Sequence, residues 1–169
     1  MRPTNVRRPA VAAHVQSRLR GADPALHELR AQLSTVFTET FAQGSGAFKG
    51  GEVAEGGLAF PAKGAEVWNA FSPKVSESTQ LRFKVRALAD VKDVTILVWS
   101  DKLKDNARRL VGSIKKGETQ EVVVRGIQFR AGWDAAGPSM EGGELNNFKI
   151  VFDGAPDARL VLSDVEVRQ

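Results

Sequence analysis

The stretch Leu81-Arg82-Phe83-Lys84-Val85-Arg86-Ala87 alternates strictly: Leu81, Phe83, Val85 and Ala87 fall on one side, and Arg82, Lys84 and Arg86 on the other. Period-two alternation of this kind specifies a β-strand with one face on a core and one in solvent. The run Val94-Thr95-Ile96-Leu97-Val98-Trp99 follows, rich in β-branched residues and apolar on both faces. It reads as a central strand covered on both sides, with Trp99 in the core.

Working outward, strands are predicted over 36–41, 67–71, 109–114, 121–125, 147–152 and 159–167. Glycine-rich and proline-containing turn sequences separate them. In 36–41, Phe37, Glu39 and Phe41 share one side. The stretch holding Gly44, Gly46, Gly50, Gly51, Gly56 and Gly57 reads as loops and tight turns around short strands. Eight or nine short strands with no helical period among them specify an all-β, antiparallel two-sheet β-sandwich. A jelly roll is preferred to an immunoglobulin-like arrangement. Phe83 and Phe148 should lie in the shared interior.

The first 33 residues differ. Val11, Val15 and Leu19 recur at helical spacing and Gly21 closes that segment. Asp23-Pro24 then reads as an N-cap and first helical position before Leu26, Leu29 and Leu33. The expected organisation is a basic helical segment over 1–33 and a sandwich over 34–169. Residues 1–30 hold six arginines against two acids, which accounts for the whole net charge of +4 on the 169-residue chain. The basic character therefore belongs to a tail, where the arginines are too sparse for a polybasic anchor and argue against a nucleic-acid-binding domain. No apolar run approaches membrane-spanning length, and no secretory leader is legible, which leaves the compartment open. The expected partners are a carbohydrate or another protein, with oligomerisation through the N-terminal helices as a further option.

Catalysis finds little support. Cysteine is absent, and both histidines, His14 and His27, precede the strands. There is no Gly-x-Ser-x-Gly elbow, no zinc spacing and no phosphate-loop glycine pattern. The chain is read as a non-enzyme.

The two strands quoted first resemble the middle strands of galactose-binding-like jelly rolls, a group that includes many carbohydrate-binding modules. Gly117-Glu118-Thr119-Gln120-Glu121-Val122-Val123-Val124 is similar to their Gly-x-Trp-x-Glu-Val-x-Val strand, with Thr119 at the aromatic position. Leu160-Val161-Leu162-Ser163-Asp164-Val165-Glu166-Val167 resembles their closing strand, with Ser163 in place of the first aspartate. The likeness spans roughly 35–169. It implies sugar binding, and also a structural calcium ion held between an early strand and the last one. Glu39 and Asp164 are the matching oxygens. Two nominated ligands fall short of the six or more that calcium takes, so the plainer reading is a solvated Glu39 and a turn-capping Asp164.

For the ligand surface, Trp133 in a glycine-containing loop and Trp68 between polar neighbours are the candidate stacking platforms. Each could equally fold back onto the sandwich. Arg82, Lys84 and Arg86 form a basic stripe suited to carboxylated or sulfated polysaccharide, although such a stripe more often faces water beside cross-strand acids. The alternative function is a structural or protein-interaction domain whose helices contact a partner and whose sandwich has no small-molecule site. The preference for carbohydrate is an analogy of fold.

Overall fold

The computed structural model describes residues 33–68, 74–132, 136–145 and 147–169, apart from the side chain of Trp68. The expected N-terminal helices and Trp133 lie outside the described residues. Twelve strands follow one another: β1 (Thr35–Glu39), β2 (Phe48–Lys49), β3 (Glu52–Ala54), β4 (Gly57–Phe60), β5 (Ala65–Trp68), β6 (Gln80–Ala87), β7 (Val91–Ser100), β8 (Asp105–Ile114), β9 (Thr119–Arg125), β10 (Arg130–Ala131), β11 (Asn147–Gly154) and β12 (Leu160–Arg168). All pairings are antiparallel. One sheet runs β3-β4-β12-β6-β9, with β1 also on β12; the other runs β10-β8-β7-β11-β5-β2. Ser34–Gln169 form one compact all-β unit, a two-sheet sandwich.

The alternation of β6 is kept residue for residue. Leu81, Phe83, Val85 and Ala87 are buried, and Arg82, Lys84 and Arg86 face outward. Phe83 and Phe148 are each 1% exposed, as a shared interior requires. Edge-to-face pairs stitch the core: Phe48 meets Phe148 at 5.4 Å between ring centroids, and Phe60 meets Phe152 at 5.9 Å. Such pairs add roughly 0.5–1.5 kcal/mol each beyond burial.

β12 is the hinge of its sheet. Its first half pairs β4 and its second half pairs β1, both on the edge opposite β6. A bulge separates the halves, and Asp164 sits in it with φ +51°. The chain enters and leaves the sandwich side by side, because Ser34 N–H donates to the Gln169 carbonyl (2.7 Å) and Gln169 N–H returns to the Ser34 carbonyl (2.9 Å).

One detail here differs from the sequence reading. Phe41 does not continue β1: its φ of +62° turns the chain, and its ring packs on Phe48 at 5.3 Å. The glycine-rich stretch, by contrast, is as read: its short strands are β2 to β4, joined by tight turns, and its glycines allow backbones to crowd. At Gly57 a Cβ would stand 2.3 Å from the Leu162 carbonyl oxygen, so only glycine admits this approach of β4 to β12.

Candidate functional site

The outward-facing residues of the second sheet lie in rungs. One rung crosses five strands in register: Glu66 on β5, Lys149 on β11, Leu97 on β7, Arg108 on β8 and Arg130 on β10. The next holds Val151, Thr95 and Leu110. Beyond it β7 bulges between Val91 and Thr95, and β11 shifts register between Val151 and Asp153. Bulges re-aim side chains. Here Asp93 adopts φ +50°, the Thr95 hydroxyl donates to the Asp93 carbonyl (2.8 Å), and Asp93, Thr95 and Asp153 come to line one depression.

That depression is a groove of about 1010 Å³. Leu110 and Val151 on the strands and Ile127 in the short 3₁₀ turn Gly126–Gln128 form its apolar floor, and Leu110 is 55% exposed. Arg108, Arg109 and Arg130 stand on the β8–β10 side, while Asp93 and Asp153 stand at the bulged end. Gln128 also lines the groove, its Oε1 fixed by the Arg125 N–H at 2.8 Å. Arg108 is held by the Asn106 carbonyl (3.1 Å) and, more distantly, by Asp105 (3.7 Å). Arg130 donates to the Gly137 carbonyl at 2.9 Å.

A second hollow of about 310 Å³ opens on the same sheet among Glu66, Leu97, Trp99, Asn106 and Lys149. Trp99 was expected in the core. Alternation instead puts Val98 inside and leaves Trp99 half-buried on the outer face. Its indole N–H donates to Asp101 (3.0 Å), and its backbone N–H is taken by the Asn147 side chain (2.9 Å) where the β7–β11 ladder ends. Trp68 pairs with Asn147 at the end of β5. Trp133 follows Gly132, which lines the larger groove.

The basic stripe lies on the opposite sheet, and every cation in it has an acid. Arg82 meets Glu121 (3.1 Å), Lys84 meets Asp164 (2.9 Å) and Arg86 meets Glu55 (3.1 Å). Hydrogen bonding to Asp164, reinforced by its charge, raises the Lys84 pKa above its usual 10.5. These exposed pairs neutralise the stripe and contribute little stability.

Glu39 and Asp164 each have partners within the chain. Glu39 opposes Val165 across β1–β12, one residue from Asp164, so the two backbones are neighbours. The Glu39 Oε1 accepts the Phe41 N–H (2.7 Å), and its other oxygen fills the turn at Gly46, where a Cβ would come within 1.7 Å. Asp164 already holds an ammonium group. Among the described residues no three His, Cys, Asp or Glu side chains converge on a metal position.

Neither a protein-family model nor a curated protein matches the sequence. Solved structures do share the fold. The CBM22-1–GH10 modules of a Clostridium thermocellum endo-1,4-β-D-xylanase, complexed with xylohexaose, align over 80% of this chain and 28% of theirs, at 11% identity and a TM-score of 0.52. An agarase aligns over 82% of this chain and 24% of its own, at 13% identity and a TM-score of 0.50. A CBM4 structure aligns over 76% of this chain and 98% of its own, at 20% identity and a TM-score of 0.49. This chain thus spans about a quarter of the length of the xylanase and agarase chains. At these identities the likeness is one of fold, and the Ser34–Gln169 unit is a β-sandwich similar to those of carbohydrate-binding modules.

Proposed function

We propose that the sandwich is a non-catalytic module of galactose-binding-like jelly-roll type that holds a polysaccharide chain along the outer face of β11, β7 and β8. The observation that carries this is chemical. Leu97, Trp99, Leu110 and Val151 face outward where alternation ordinarily places polar side chains, and they floor two hollows on one sheet. Apolar sugar faces pack on such a floor, with Trp99 offering an indole face, while Asp93, Asp153, Gln128 and the arginines reach the hydroxyls. Trp68 and Trp133, both close in sequence to lining residues, are read as further platforms.

The test is affinity electrophoresis and calorimetry of the full chain against a polysaccharide panel, with reducing-end assays run alongside. Trp99→Ala and Leu110→Ala should each weaken binding about tenfold, near 1.4 kcal/mol. Arg82→Gln on the opposite sheet should change nothing, and no new reducing ends should form. Binding that survives both groove variants but fails in Arg82→Gln would move the site to the other face. No binding to any polymer would end the proposal.

A further inference from the structure

We infer that Asp101 is a positioning residue for glycan binding: it holds the Trp99 indole so that a ligand entering the smaller hollow meets a ring already in place. The inference rests on the reading of this face as a polysaccharide site. Thr95, Leu97 and Trp99 occupy alternate positions along β7, and Asp101 follows two positions on, just past the end of the strand. The indole N–H donates to the Asp101 Oδ1 at 3.0 Å. A carboxylate acceptor makes this bond stronger than a neutral one would.

Both ends of the bond are anchored. The Trp99 backbone N–H is taken by the Asn147 side chain at 2.9 Å, and Asn106 stands directly across on β8. On the other side, Ser100 is fully buried, and its Oγ accepts the Leu103 N–H at 3.3 Å, which closes the turn around Asp101. Leu103 packs against the core, and the Lys102 ammonium donates to the Glu141 carbonyl. The carboxylate is therefore delivered from a turn tied down on either side of it.

This arrangement bears on binding in two ways. A half-buried tryptophan has side-chain torsions to order when a ligand lands on it, and a ring already fixed avoids that cost. Indole also has one polar hydrogen and no acceptor, and here that hydrogen is committed to Asp101. What Trp99 offers the hollow is its π face, which packs on sugar C–H groups. Hydroxyl recognition falls to the polar lining residues Glu66, Asn106 and Lys149.

The experiment compares the full chain with Asp101→Ala and Asp101→Asn by affinity electrophoresis on the polysaccharide panel, soluble xylan and a mixed-linkage β-glucan among its polymers. Asp101→Ala should weaken binding roughly threefold, the effect of re-ordering one side chain, with an unchanged thermal midpoint. Asp101→Asn keeps an acceptor for the indole N–H and should restore most of the affinity. In a Trp99→Ala background, Asp101→Ala should have no further effect, because the ring it holds is gone. Nitrogen-edited NMR adds a ligand-free readout: the Trp99 indole N–H should exchange with solvent faster in Asp101→Ala than in the wild type or Asp101→Asn. Wild-type affinity or unaltered indole exchange in Asp101→Ala overturns the inference while the polysaccharide site stands. So does an undiminished effect in the Trp99→Ala background, or an Asp101→Asn as weak as Asp101→Ala. A wild type that binds no polymer of the panel overturns both.

Discussion

Replacing Asn147 with alanine should destabilise the sandwich through a single backbone group. The β7–β11 ladder reaches Lys149 opposite Leu97 and stops one rung short of Trp99. There the Asn147 carboxamide takes over, its Oδ1 accepting the Trp99 N–H at 2.9 Å from a side chain only 5% exposed. Alanine leaves that donor without an acceptor in a part-buried position, which costs about 1–3 kcal/mol. For a domain of this size each kcal/mol moves the thermal midpoint by on the order of 3–5 °C, so a fall of roughly 3–15 °C is expected. Denaturant titration should show a lower midpoint at constant slope, the mark of lost stability rather than altered compactness. Amide exchange adds a local readout: protection at Trp99 should fall well below that at Val98. An unchanged midpoint together with full protection of the Trp99 amide would refute this assignment of the bond.

Three further outcomes are expected. Phe148→Ala removes a ring that is 1% exposed and set against Phe48, and should cost about 3–5 kcal/mol by denaturant titration. Arg168, with the Thr35 hydroxyl, lowers the Glu166 pKa below its ordinary 4.5. That stabilisation is present above the ordinary value and is lost as pH falls through the folded one, so Glu166→Gln should be less stable at neutral pH and show a shallower acid limb when stability is followed downward from about pH 5. With Glu39 and Asp164 both engaged, chelator should leave the thermal midpoint unmoved, and a calcium-dependent rise of several degrees would contradict the donor geometry.

The long strands were legible because one physical pattern, alternation over a buried face, ran through them. β6 matched to within a residue, and β7, β9, β11 and β12 differed only at their ends. β8 began four residues earlier than expected because Asp105 and Asn106 have turn chemistry, yet tertiary pairing with β7 makes them strand. Phe41 was misplaced because nothing local marks its positive φ. The groove was the least legible feature. The apolar run through Trp99 suggested burial on both faces, whereas its outward members floor a hollow. Two bulges, invisible to periodicity, aim Asp93 and Thr95, and the opposition of Arg108 and Arg130 needs a register that no single strand carries. One hint was available: Thr95, Leu97 and Trp99 occupy alternate positions on what strict alternation makes a surface.

The mutual bonds of Ser34 and Gln169 place the beginning and end of the sandwich shoulder to shoulder on the sheet opposite the groove. A domain whose two connections leave together from its back can be spliced into a longer polypeptide, or re-opened at a loop with Ser34 and Gln169 joined, and still present the same face outward. Within a larger protein, the direction in which this groove looks is thereby decoupled from how far its neighbours stand.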